Sequence, residues 1–231
     1  MRSGWILLPL VLGLTFATGS PSIADCSDGP GPGVDWTGCT KMNRLMSGDD
    51  FRGAKLVGTN LSASDLTGAD FTGADLTAAI LVRTQLTGAV LKRAELAKAM
   101  LDRADLQKAD LGAAQLVKAE LSRANLTDAQ LVGANLERAE LGRAMLLQAN
   151  LSAARLESAY LARADLRNAV LAGADLTDAE LYLADLRGTD LSAVRGLAAQ
   201  QLVDTCGDDT TKLPAGVARP PSWPCTSREA D

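Results

Sequence analysis

The chain has 231 residues, 47% of them apolar, with 23 basic and 28 acidic side chains and no histidine. That apolar share supports a large core and excludes a disordered chain. A net charge of −5 provides no strong field for nucleic acid or a membrane surface, and the missing histidine removes the commonest general base and a principal zinc ligand.

Met1 and Arg2 open a short basic region, followed by an apolar run from Trp5 to Ala17 and by small, turn-forming residues up to Ser22-Ile23-Ala24. The pattern predicts a secretory signal peptide over residues 1–24, cut between Ala24 and Asp25. The run is shorter than the roughly 20 residues that cross a bilayer, and no later segment is continuously apolar. A lipoprotein anchor does not fit, because Asp25 stands before Cys26 where a small residue is needed. The expected location is the bacterial periplasm or exterior. Residues 25–46, with Gly and Pro alternating over 29–33 and then Trp36 and Cys39, predict an N-terminal cap in which Met46 starts an imperfect first repeat.

From Phe51 to Leu191 every fifth residue is Leu or Phe, 29 positions without a slip in register. Two residues before each, Asp49 before Phe51 excepted, stands Ala, or occasionally Thr or Ser (Ala69, Ala94, Thr84, Ser64), and between them often Asp, Asn or Glu. On an α-helix a step of five advances the side chain by a net of about 140°, which leaves no apolar stripe. On a flat strand an odd step sends alternate leucines to opposite faces. A backbone that turns a corner after every pentapeptide gives all of them one interior, with Leu and Ala inward and the other three residues outward. Stacked coils then pair backbone to backbone.

This pattern resembles the pentapeptide-repeat family, whose consensus is Ala-(Asp/Asn)-Leu-x-x, over residues 47–195. The resemblance implies an all-β fold, a right-handed quadrilateral β-helix with four repeats per turn. That gives about seven coils and a rod of roughly 35 Å at the ~4.8 Å spacing of paired strands. A 20-residue recurrence agrees with four repeats per turn: Arg83, Arg103, Arg123, Arg143 and Arg163 all stand two places after a leucine. Some members of the family mimic DNA and bind type II topoisomerases, protecting them from quinolones. That role needs a cytosolic protein with a strongly acidic face, which the export signal and the basic column do not match.

The period ends at Gly196, and residues 196–231 predict a C-terminal cap containing Leu197, Leu202, Leu213 and the run Pro220-Pro221-Ser222-Trp223-Pro224-Cys225. Trp36 and Trp223 are expected to cover the two open ends of the solenoid, whose edges otherwise invite aggregation. The four cysteines, Cys26, Cys39, Cys206 and Cys225, fit disulfides in an oxidising compartment. A rigid middle segment favours local pairing, Cys26–Cys39 and Cys206–Cys225. Zinc is the competing reading, weakened by the lack of CxxC spacing and of histidine. The adjacent carboxylates Asp208 and Asp209 suggest calcium, but without EF-hand spacing.

No catalytic constellation is present: there is no Gly-rich phosphate loop, no GxSxG, and the carboxylates recur in the outward slot before Leu. The chain is therefore expected to be non-enzymatic, with no cofactor and no metal. The surface feature to weigh is the arginine column, with Lys98, Lys118 and Arg138 in a neighbouring column. Either Glu120, Glu140 and Asp102 neutralise it as a structural charge ladder, or its guanidinium groups grip an anionic partner. The expected function is a rigid scaffold for a protein or an anionic polymer, without nucleic acid or membrane, as a monomer or an end-to-end dimer.

Overall fold

The computed structural model describes residues 24–225. The expected signal peptide therefore lies outside the described residues, Ala24 excepted.

Each pentapeptide is built the same way. The amide of the small inward residue donates to the carbonyl of the preceding leucine, as Ala104 does to Leu101 at 3.0 Å, closing a β-turn over the two residues between them. Only the second of those two lies at positive φ, the signature of a type II turn. That conformation holds without interruption from Gly33 to Gly188, and most residues adopting it are not glycine: Arg103 has φ 57°, Lys118 57° and Arg123 60°. The turn is what bends the backbone at every fifth residue.

Between turns the chain pairs with itself one coil on. Residues 20 apart form parallel bridges in four columns, which define four sides. The first side runs Asp35, Lys55, Asp75 and onward to Arg195; the second runs Thr40, Asn60, Ile80 and onward to Glu180. The third runs Leu45, Asp65 to Asp185, and the fourth Asp50, Asp70 to Asp190. Four repeats per coil are thus observed directly. The all-β expectation takes a particular form, however. Each bridge stays isolated, because a side is only three residues long between turns, and among the described residues no bridge extends into a strand. The sole regular helix among them is a 3-10 turn, Ala199–Leu202.

The 29 Leu and Phe side chains are all buried, each contributing about 1.5–3 kcal/mol on removal from water. Four large side chains per coil leave room beside them for alanine but little more. Where the alanine slot holds a hydroxyl residue, the hydroxyl is buried and donates to a carbonyl in the coil before it: Thr59 to Trp36 at 2.6 Å, Ser64 to Lys41 at 3.1 Å, Thr84 to Leu61 at 3.2 Å and Thr189 to Leu166 at 2.9 Å. A buried hydroxyl costs little when so satisfied.

The turn-and-bridge backbone begins at residue 31, inside the segment read from sequence as a cap. Here Trp36, Lys41 and Met46 occupy the leucine slot. Trp36 is buried against Phe51 with ring centroids 5.4 Å apart, and its indole donates to the Asp28 carbonyl. Lys41 lies 4.0 Å over the Trp36 ring and its ammonium also donates to Asp28. The Cys26–Cys39 disulfide fastens this end.

At the other end the register slips. Asp185 pairs with Cys206 and Asp190 with Lys212, so inserted residues carry the tail into an incomplete last coil. Where the second side runs out, Gln201 substitutes with its side chain, donating to the carbonyls of Leu176 and Ala179 at 2.9 and 2.8 Å. Trp223 is buried, donates to Thr205 at 2.9 Å and packs on Gly207, where a Cβ would collide with the indole; Cys206–Cys225 holds it there. The local disulfide pairing is as expected, and each tryptophan sits at its own end.

Candidate binding surface

Three outward positions recur in every repeat. The residue before leucine stands in the bridge column on a flat side, the residue after leucine opens the turn, and the next sits at the corner with positive φ. Asp and Asn favour the first because their carboxylate or amide oxygen accepts the amide two residues on, as Asp70 does from Thr72 at 2.9 Å and Asn125 from Thr127 at 3.2 Å. These Asx caps hold the turn, which explains the recurrence of acidic residues before leucine.

Arg83, Arg103, Arg123, Arg143 and Arg163 all occupy the corner between the second and third sides, so they form a column along an edge of the rod rather than on a flat facet. All five are exposed. Among the described residues none makes an ion pair: Glu120, Glu140 and Asp102 share their side of the rod without neutralising them. Glu120 shows this from its own viewpoint. Its pKa is raised, first by burial and then by the charges of Asp102 and Glu140. Lys98, Lys118 and Arg138 line the corner on the other margin of the second side. Of these only Arg138 approaches a carboxylate, Glu137, at 3.9 Å.

The second side contains a feature the sequence reading missed. Below the arginine edge the turn-opening residues are Ser122, Gly142 and Ala162, which leave a groove of about 340 Å³ flanked by Arg123, Arg143 and Arg163. Its opposite wall is Tyr160, 45% exposed, whose ring lies across Gly142 so closely that a Cβ there would stand 2.9 Å from the ring. Tyr182, 54% exposed, stands one coil beyond Ala162 in the turn-opening column of Ser122 and Gly142. Writing the sequence in rows of twenty would have placed these residues together.

The residues that suggested metals are otherwise engaged. All four cysteines are in disulfides. The Asp208 carboxylate accepts from Thr210 and Thr211 and from the Gly188 amide, and Asp209 pairs with Arg219 at 2.8 Å.

Comparison with known proteins places the chain. The family profile for pentapeptide repeats matches eight copies, in overlapping segments that span residues 50–192. Among solved structures, a likeness is found to HetL, a pentapeptide repeat protein involved in heterocyst differentiation regulation in the cyanobacterium Nostoc sp. strain PCC 7120. It has 31% identity and a TM-score of 0.57 over 81% of this chain and 92% of that one. QnrB1, a plasmid-mediated fluoroquinolone resistance protein, matches with 19% identity and a TM-score of 0.60 over 78% of this chain and 91% of that one, a likeness of fold. Among curated protein sequences no match was found. The chain belongs to the pentapeptide-repeat family.

Proposed function

We propose that this protein is an exported, non-enzymatic scaffold, a right-handed four-sided β-helix that presents its Arg83–Arg163 edge to an anionic protein or polymer. The observation that carries the reading is the set of five exposed arginines in register on one edge, without a carboxylate partner among the described residues. Guanidinium groups without internal partners keep their full capacity for carboxylate, sulfate or phosphate. Export is supported by the basic and apolar N-terminal segment together with two disulfides, which persist in oxidising compartments. Pentapeptide-repeat proteins such as those matched act without catalysis, and the present side chains suggest no departure from that. A DNA-mimic role needs a strongly acidic face in the cytosol, and the basic edge and disulfides argue against it.

Affinity capture from the exported fraction tests the proposal, using wild type and a variant with Arg103→Gln, Arg123→Gln and Arg143→Gln. A ligand retained by wild type and lost, with its salt dependence, from the variant supports it. A ligand held equally by both overturns the assignment of the edge, and an uncleaved protein in the cytosol overturns export.

A further inference from the structure

We propose that the groove between Tyr160 and the arginine edge binds a linear polysaccharide carrying carboxylate groups, lying along the rod axis. The inference rests on the reading of the edge as an anion-binding surface and names the class of anion. The argument starts from the regular rise. Successive arginines are one coil apart, about 4.8 Å, so they address a ligand that repeats its charge along a line rather than a compact ion.

Three further observations select among linear polyanions. The first is the mixed character of the side. Glu120 and Glu140 stand in the bridge column and Ser122 in the turn-opening column, next to the corner column of guanidinium groups. Carboxylates and a serine hydroxyl accept hydrogen bonds from hydroxyls, which a sugar chain offers between its charges and a phosphodiester backbone of DNA does not. The second is the aromatic wall. Tyr160 and Tyr182 are exposed, and each offers an apolar ring face bearing a polar hydroxyl, suited to a ligand that is itself apolar on one face and hydroxylated at its rim. The third concerns backbone supply. Strand addition by an acidic peptide needs free backbone groups, and here they are spent between coils: Glu140 N–H donates to Ala119, Leu141 to Tyr160 and Arg143 to Ala162. Side-chain recognition is what remains, and the groove between the Tyr160 ring and the arginines leaves room for it.

The test titrates the disulfide-intact protein by calorimetry, at two ionic strengths, with polygalacturonate, its neutral methyl ester, polyglutamate and a thymidine oligonucleotide. Polygalacturonate is expected to bind at least ~tenfold tighter than each of the other three, because each misplaced or missing charge contact weakens binding. The triple variant Arg123→Gln/Arg143→Gln/Arg163→Gln is expected to lose ~tenfold or more together with most of the salt dependence. Lys108→Gln, on another corner, leaves binding unchanged. Tyr160→Ala weakens it about threefold with the salt dependence retained, the mark of a neutral stacking contact. Melting curves of each variant confirm that the coil is intact. If polyglutamate or the oligonucleotide binds as tightly as polygalacturonate and the triple variant abolishes it, the polysaccharide is wrong while the basic edge stands. If no polymer binds up to ~1 mM, the polysaccharide is wrong; if polygalacturonate binds but ignores the triple variant, the basic edge falls with it.

Discussion

Two sets of arginines on this rod differ in their place in the pentapeptide and in whether an aspartate stands two residues before them, and one set is paired while the other is not. Arg52, Arg167 and Arg187 directly follow the buried Phe51, Leu166 and Leu186, and each clamps the aspartate two residues before it with two nitrogens: Arg167 reaches Asp165 at 2.8 and 2.6 Å, and Arg52 reaches Asp50 at 2.9 and 2.6 Å. The five column arginines sit one residue further on, at the corner, where the positive φ turns the side chain off the flat side. They meet no carboxylate among the described residues. The directions of the pKa shifts agree. Burial acts to raise the Asp165 pKa, but hydrogen bonds and charge from Arg167 outweigh it, and the carboxyl lies below its ordinary range. Glu120, beside the column, moves the other way. Net charge balance therefore says little about neutralisation on this fold; a turn-opening arginine two residues after an aspartate is clamped, whereas at the corner only Arg138 comes near a carboxylate, Glu137 at 3.9 Å, among the described residues.

Substitutions at neighbouring positions of one coil should separate these roles. The largest contrast is between Leu121 and Arg123. Leu121→Ala opens a cavity in a packed layer and should cost about 2–5 kcal/mol, whereas Arg123→Ala should stay within about 0.5 kcal/mol of wild type; denaturant midpoints measure both. Next comes the paired against the unpaired arginine. Arg187→Gln breaks a clamp that is largely shielded from solvent and should cost about 0.5–1 kcal/mol. Arg143→Gln should be silent at every salt concentration.

The winding was legible because a period of five requires a corner after every pentapeptide, and the unbroken frame from Phe51 to Leu191 left no room for an insertion; the number of sides needed the family resemblance and the 20-residue arginine recurrence. What escaped lay where residue identity and slot diverge. Lys41 in a leucine slot conceals a coil, since its stem is buried while its ammonium is satisfied by Asp28 and the Trp36 ring. The insertions before Cys206 and Lys212 conceal the last, incomplete one. The arginine column was visible in sequence, but its lack of partners was not: Glu120 and Glu140 come into line with it only through coil stacking, and the turn then directs the arginines away. Gly142 and Tyr160 were invisible as a site because neither breaks the repeat.

A subtler effect follows from the corner conformation itself. Arg123→Gly replaces a side chain at φ 60° with the residue that adopts this conformation most easily, and should stabilise the coil by about 0.5 kcal/mol. Glycine in place of the clamped Arg187, by contrast, should destabilise it. The smallest expected effect is acid sensitivity at the cap. Hydrogen bonds from Thr210, then from the Gly188 amide and Thr211, hold the Asp208 pKa down to about 2. A depressed carboxylate contributes stability above its unfolded value and loses it as pH falls through the folded one. The melting temperature should therefore decline from about pH 4 to about pH 2, and less steeply in Asp208→Asn.

Hydrogen exchange at the arginine Nε–H groups, followed by NMR, tests the central claim most directly. The Nε donors of Arg52, Arg167 and Arg187 should be protected by their aspartates, while those of Arg83, Arg103, Arg123, Arg143 and Arg163 should exchange as fast as in a free peptide. Protection of the five matching that of Arg167 would mean that the edge is internally paired and holds nothing in reserve for a partner.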